Sequence, residues 1–179
     1  MSHRFGTGRK KHIFFASLLF IVLAVIAAIG TGDVGVSQYK IEQDARQKQK
    51  IDENWLAAKD ISDELGAMLF YDEASGSHVF SLYLKRGGLS WGDFFRDGGT
   101  LDSVSTGIQG FSYGEQGMAL LSMNHERIEK IRISRGQKIE MIEIDPEAPF
   151  AVVIPGDTSE VELLNSRGES IPIDNISIL

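Results

Sequence analysis

The chain has 179 residues, of which 42% are hydrophobic and 24% charged, so it can form one compact domain with an appendage but not a second full domain. Residues 1–12 hold four of the 18 basic residues and no acid. The remainder therefore has 14 basic and 25 acidic residues, a formal charge of −11. We expect no nucleic-acid partner, because such a domain repels a phosphate backbone. There is no cysteine, which excludes disulfides and favours a bacterial envelope over a secreted eukaryotic domain.

An uncharged apolar segment covers residues 13–30, and Ser17 is its only polar side chain. A helix of this length spans roughly 27 Å at about 1.5 Å per residue, close to the thickness of the hydrocarbon core of a bilayer. Because it has no polar face, it is not typical of a helix in a soluble core. The segment predicts a transmembrane helix and makes the bilayer the first expected partner.

The charges flanking this segment predict its orientation. Arg9, Lys10 and Lys11 precede it, and Asp33 is the first charge after it. Positive flanks stay in the cytoplasm, so residues 1–12 are predicted to form a cytoplasmic tail and the C-terminal domain to lie outside the cytoplasm. A cleaved signal peptide is the alternative, since Ala28 and Gly30 are suitable residues for a cleavage site. The domain is extracytoplasmic under either interpretation.

Residues 31–50 are predicted to form a flexible exit from the membrane and then a solvated helical stalk, because 37–50 are mostly polar. After the stalk, apolar residues recur at spacings of three and four, which predicts an amphipathic helix. They are Ile51, Trp55, Ala58, Ile61, Leu65 and Met68. The helix could pack on the protein's own domain or continue the stalk as a coiled-coil dimer seam.

The rest of the extracytoplasmic part, residues 51–179, is dominated by short strand-like runs with Gly, Pro, Asp or Asn between them. The predicted strands are 67–72, 79–85, 118–123, 128–134, 138–144, 150–154, 161–164 and 169–173, with the first two forming a hairpin. This spacing favours a small antiparallel β-sandwich or a barrel. The fold class is therefore mainly β, with a transmembrane helix and one amphipathic helix.

Two further features concern irregular structure. Ile139 and Met141 share one parity along their strand while Ile142 and Ile144 have the other, which predicts a β-bulge. Residues 86–117 contain nine glycines and little periodicity, so we expect a loop-rich region there.

The clearest catalytic pattern is Gly88-Leu89-Ser90-Trp91-Gly92, which has the spacing of a hydrolase nucleophile elbow. His125 as base and Asp102 as orienting acid would complete a triad. The elbow normally belongs to a large parallel sheet, which short antiparallel strands do not provide. We therefore expect no enzyme activity and keep the Ser90 hydrolase as an alternative.

Metal-binding residues are sparse. His78 and His125 lack a partner at ligand spacing, and the acids Glu140, Glu143, Asp145 and Glu147 are expected on one solvated strand face. We expect no metal and no cofactor.

The best candidate for a binding site is Trp91, Phe94, Phe95 and Arg96, which lie between glycine-containing turns. Large aromatic side chains with an arginine are typical of interface hot spots, although in a small domain they also serve as core. The favoured hypothesis is a membrane-anchored, non-catalytic binding or scaffolding module that contacts an envelope protein or the cell wall. A stalk-dimerised sensor or regulator is a third hypothesis.

Overall fold

The computed structural model describes residues 17–23, 34–87 and 90–178, and this part of the chain is mainly β. Its helices after residue 34 are α1 (Ile41–Gln49), α2 (Asp102–Thr106) and two 3-10 turns at Gln38–Lys40 and Gly114–Gln116. The strands are β1 (Leu56–Ile61), β2 (Leu65–Tyr71), β3 (His78–Lys85), β4 (Asp93–Gly99), β5 (Gln109–Ser112), β6 (Met118–Ser122), β7 (Ile128–Arg135), β8 (Lys138–Glu143), β9 (Phe150–Ile154), β10 (Glu160–Asn165), β11 (Ser170–Ile171) and β12 (Asn175–Ile178).

The strands form three four-stranded sheets. Sheet A has the order β1-β2-β3-β4, sheet B the order β12-β5-β6-β9, and sheet C the order β11-β10-β7-β8. Neighbouring strands are antiparallel apart from β12, which pairs with β5 in parallel. The fold prediction is therefore confirmed in its coarse form: mainly β, with antiparallel sheets and few helices.

Sheet B is packed on both of its faces. Leu121 and Val153 pack against sheet A in one cluster, whereas Leu120 and Val152 pack against sheet C in another. Because both faces are apolar, β9 reads as the continuous run Phe150–Ile154 and is buried at every residue. The edges of sheets A and B are also linked, since the backbone amide of Val153 donates a hydrogen bond to Asp60 on β1 at 2.9 Å.

Helix α1 covers the outer face of sheet A. Ile41 and Ala45 are fully buried there against Met68, Phe70 and Tyr83. Burial of a side chain such as Ile41 contributes about 1.5–3 kcal/mol, which a nine-residue helix needs because it is marginal alone. The predicted stalk over 31–50 is helical at α1, but this helix is not solvated all round, because Ile41 and Ala45 are buried in the domain.

The amphipathic helix expected from Ile51 to Met68 is also wrong, because β1 and β2 occupy most of this region. Residues 65–70 of β2 are all buried, since sheet B packs on one side and α1 on the other. A strand covered on both faces loses the two-residue alternation that identifies strands. Its apolar residues then include spacings of three and four by coincidence.

The predicted hairpin is confirmed: β2 and β3 pair from Leu65↔Leu84 to Tyr71↔His78. The strands expected between 118 and 173 are also present as β6 to β11, with shifted ends. The bulge predicted at 139–144 is wrong, because β8 pairs with β7 in unbroken register. Ile139 and Met141 instead lie on the exposed side of that strand while Ile142 packs on the core, which explains the parity change.

The region 86–117 is more regular than expected, because it contains β4, α2 and β5. Glycine weakens the hydrophobic alternation by which such strands are recognised. Gly98 on β4 and Gly110 on β5 are both paired ladder residues.

The predicted transmembrane segment 13–30 is described only at residues 17–23, which are helical with solvent-exposed apolar side chains. In the described part of the chain, no helix has both the length and the apolar character needed to cross a membrane. The other residues of that segment, and the basic tail 1–12, lie outside the described residues.

Candidate functional site

A cavity of about 650 Å³ lies at the end of sheet A where β3 leads into β4. Its side walls come from the two strand ends and from the turn between β5 and β6. The lining residues are Glu64, Leu84, Lys85, Arg86, Gly87, Phe94, Phe95, Arg96, Tyr113 and Gln116. We call this cavity the β3–β4 pocket.

A β-bulge places Arg96 in this pocket. Leu82 pairs with Asp97, and the next residue, Tyr83, pairs with Phe95, so Arg96 is an extra residue in β4 without a partner on β3. Bulges redirect side chains and are frequent beside functional sites. Arg96 is exposed and forms no hydrogen bond or ion pair with the described residues.

The two phenylalanines of β4 have different neighbours because successive strand residues face opposite sides of a sheet. Phe95 packs edge-on against Tyr83 on the side of α1, with ring centroids 5.6 Å apart. Phe94 carries the guanidinium of Arg86 over its ring, 4.1 Å from the ring centroid. Phe94 and Arg86 together therefore form a cation–π wall of the pocket.

Tyr113 is one of the lining residues, and its hydroxyl is buried in an unusual environment. Tyr113 is only 8% exposed, and its hydroxyl has no hydrogen-bond partner among the described residues. Burial raises the pKa of Tyr113 to about 12, so the phenol keeps its proton at neutral pH. Buried polar groups without a partner are rare in folded proteins. The hydroxyls of Ser81 and Thr158 are likewise unpaired, but they do not line this pocket.

The start of the domain is bound beside the pocket. Residues 34–36 pair with 91–93 at the edge of β4, and both the amide and the carbonyl of Asp93 bond to Val36, at 2.7 and 2.9 Å. The carboxyl of Asp93 has a raised pKa because it is buried; Lys85 opposes this shift and Glu64 adds to it. Residues 34–36, where the chain enters the domain, therefore lie at the same end of sheet A as the pocket.

The structure divides the predicted patch. Phe94, Phe95 and Arg96 line the pocket, whereas Trp91 lies outside it, pairs with Val34 and is 65% exposed. Four further lining residues were not predicted from the sequence: Lys85, Arg86, Tyr113 and Gln116. Arg86 and Tyr113 adjoin glycine-containing turns, which was the available signal, but their convergence depends on packing between sheets A and B.

The residues of the hypothetical triad are far apart. Ser90 precedes β4 and Asp102 follows it, which separates them by roughly 20 Å at about 3.3 Å per residue. The hydroxyl of Ser90 donates to the carbonyl of Arg86 at 2.8 Å, and His125 lines a second cavity of about 410 Å³. Gly88 and Leu89 of the elbow motif lie outside the described residues.

The metal candidates are dispersed as well. Both ring nitrogens of His78 are within hydrogen-bond distance of α2-region atoms, Nε2 of the Leu101 carbonyl at 3.0 Å and Nδ1 of the Ser105 hydroxyl at 3.2 Å. Glu140 pairs with Lys138 at 2.5 Å. Within residues 17–23, 34–87 and 90–178, no three His, Asp or Glu side chains converge as a metal site would require.

Comparisons with protein-family models, with curated proteins and with solved structures give no match for this chain.

Proposed function

We propose that this protein is a single-pass, membrane-anchored binding module of the cell envelope, with the β domain outside the cytoplasm and no catalytic role. Residues 13–30 would hold it in the bilayer. The β3–β4 pocket would be its binding site, with Phe94, Phe95 and Arg96 among the contacts. Its partner would be an envelope protein, the cell wall or a molecule at the membrane surface.

The observation that carries this proposal is the position of the pocket relative to chain entry. Val34 is four residues beyond the predicted membrane segment, and it is paired with Trp91, close to the pocket. A domain that begins so close to its anchor would keep this end near the membrane surface. Trp91 and Val34, 65% and 45% exposed, suit such a position because tryptophan is favoured at membrane interfaces.

Membrane topology can be tested with reporters fused after Leu179 of the full chain. Alkaline phosphatase, which needs export, should be active, and a fluorescent protein that folds only in the cytoplasm should be dark. Replacing Arg9, Lys10 and Lys11 by Glu should weaken this orientation, while replacing the exposed Lys59 by Glu should leave it unchanged. Cytosolic fluorescence of the unmodified fusion, or recovery of the full chain as a water-soluble protein, would contradict the proposal.

Binding is tested separately by cross-linking the full chain in its own membranes. We expect discrete cross-linked species that are lost in Arg96→Glu but retained in Arg167→Glu, where the arginine is exposed on the far sheet. Equal cross-linking in both variants would remove the pocket as the binding site while leaving the topology intact.

A further inference from the structure

The charge of the β3–β4 pocket is opposite to that of the surrounding domain. Lys85, Arg86 and Arg96 line it together with one acid, Glu64, so the lining has a formal charge of +2. Residues 13–179 as a whole have a formal charge of −11. Local clustering of this kind attracts an anion to one position despite the negative net charge.

The basic side chains of the lining, Lys85, Arg86 and Arg96, supply hydrogen-bond donors for an anion. The guanidinium of Arg86 is positioned by the ring of Phe94, and Arg96 projects from the bulge without a protein partner in the described structure. Guanidinium groups bind carboxylate and phosphate oxygens in a bidentate manner.

Hydrogen bonds already present fix the frame around these donors. The side-chain amide of Gln116 donates to the carbonyl of Lys85 at 2.7 Å, which joins the β5–β6 turn to the end of β3. The backbone amide of Lys85 donates to the carbonyl of Glu64 at 3.0 Å, which joins β3 to the start of β2. The backbone that carries Lys85 is therefore held in place from two sides.

We propose that the β3–β4 pocket binds a phosphate monoester, with Arg86 and Arg96 contacting its oxygens. A dianionic phosphate matches the +2 lining better than a carboxylate does, because a monoester carries about −1.5 to −2 charges at neutral pH. This inference rests on the proposed function, since it names the ligand class of the same site.

The bound phosphate group could belong to a soluble molecule or to a lipid headgroup. The following experiment distinguishes these two ligands. Full-length protein is reconstituted in nanodiscs of phosphatidylcholine, and Trp fluorescence is followed while inorganic phosphate, or acetate at equal ionic strength, is added. A second set of nanodiscs contains increasing phosphatidic acid, whose headgroup is a monoester. Saturable binding of phosphate alone identifies a soluble ligand, and a response to phosphatidic acid alone identifies the lipid headgroup. Both outcomes support the proposal.

Two variants test the contacts. Arg96→Gln should weaken phosphate binding by at least about tenfold, the usual effect of losing a charged hydrogen bond, and Arg167→Gln should not change it. Tyr113→Phe should leave phosphate binding unchanged, because the Tyr113 hydroxyl is buried and a ligand does not reach it. The ligand-free protein should be equally or more heat-stable, since this variant removes an unpaired buried hydroxyl.

The proposal is overturned if neither phosphate nor phosphatidic acid gives saturable binding, if acetate competes equally, or if Arg96→Gln binds like the unmodified protein. Any of these results would leave the reporter topology, and so the membrane-anchored module, unaffected. Conversely, a reporter that is fluorescent in the cytoplasm would contradict the proposed membrane anchor. Phosphate binding by the pocket could still be measured in that case.

Discussion

The hydroxyl of Tyr83, in the middle of sheet A, donates a hydrogen bond to a carboxylate oxygen of Asp44 on α1 at 2.5 Å. Tyr83 is fully buried, and Lys48 forms an ion pair with the same carboxylate from the next turn of the helix. The contact therefore fixes the position of α1 on the sheet at a point where apolar packing alone would allow the helix to slide.

We expect Tyr83→Phe to lower the free energy of unfolding by about 1–2 kcal/mol, because a hydrogen bond to a charged group is lost while the aromatic packing is kept. Urea denaturation of the full chain, followed by circular dichroism, measures this. Tyr39→Phe is the matched control, since Tyr39 is 83% exposed, and it should change stability by less than about 0.5 kcal/mol. Equal effects of the two variants would show that the Asp44 contact does not stabilise the helix.

Alkaline pH provides a second test of the buried tyrosines. Burial raises the pKa of both Tyr83 and Tyr113 above the ordinary value of 10.0, with the Asp44 bond adding to the shift at Tyr83. The folded state then retains protons that the unfolded state releases, so stability is complete below about pH 10 and falls as the pH rises further. For Tyr113 this fall continues to about pH 12.

Urea midpoints measured between about pH 8 and 12 should therefore decline less steeply in Tyr113→Phe and in Tyr83→Phe than in the unmodified chain. If the urea midpoints of all three proteins fell equally with pH, folding would not raise the pKa of either phenol.

The sequence predicted those strands well whose turns carry Gly, Pro, Asp or Asn, including the β2–β3 hairpin and β6 to β10. It failed at β1 and at the start of β2, where apolar residues at spacings of three and four indicate a helix instead. It also did not predict that α1 packs on the domain, because Ile41 and Ala45 are too few to indicate a packed face, although each is fully buried.

The candidate site was predicted in part, for a related reason. Phe94, Phe95 and Arg96 are adjacent in sequence and were recognised as a group. Tyr113 reaches the same pocket only because sheet B packs on sheet A, and the bulge at Arg96 depends on pairing with Leu82 and Tyr83. No local pattern encodes either relationship.

The attachment of residues 34–36 to β4 depends on glycine at position 92. Gly92 has φ +87°, and a Cβ there would lie 2.7 Å from the carbonyl oxygen of Val36. Gly76 is the matched control, because it has φ +68° and open space around it. Both Ala variants incur the cost of a left-handed backbone, about 1 kcal/mol, but Gly92→Ala should cost about 1–3 kcal/mol more from the clash.

Hydrogen exchange locates this effect. The amides of Gly35 and Val36 donate to Trp91 and Asp93, at 2.6 and 2.9 Å, and should exchange much faster in Gly92→Ala than in Gly76→Ala. Unchanged protection would show that the entry segment is held by contacts other than this pairing.

Asn124 joins two loops at the end of the domain away from the pocket. It is buried with φ +62°, and its side-chain amide donates to the carbonyls of Ile128, Asp145 and Ala148 at 3.0–3.2 Å. Its side-chain oxygen accepts the amide of Ile128 at 2.7 Å. One residue therefore contacts four backbone groups from the loops before β7 and before β9, with one amide hydrogen shared between two carbonyls. It also adopts a left-handed conformation that asparagine tolerates.

We expect Asn124→Ala to destabilise the full chain by about 3–4 kcal/mol, because it leaves buried backbone groups unpaired and strains the backbone. Asn124→Gly should cost about 1 kcal/mol less, since glycine accepts the positive φ and only the hydrogen bonds are lost. Asn54→Ala, in an exposed turn, is the control and should have little effect. Urea denaturation of the three variants separates the two contributions. If Asn124→Gly were as stable as the unmodified chain, the backbone conformation and not the hydrogen-bond network would be what this asparagine provides.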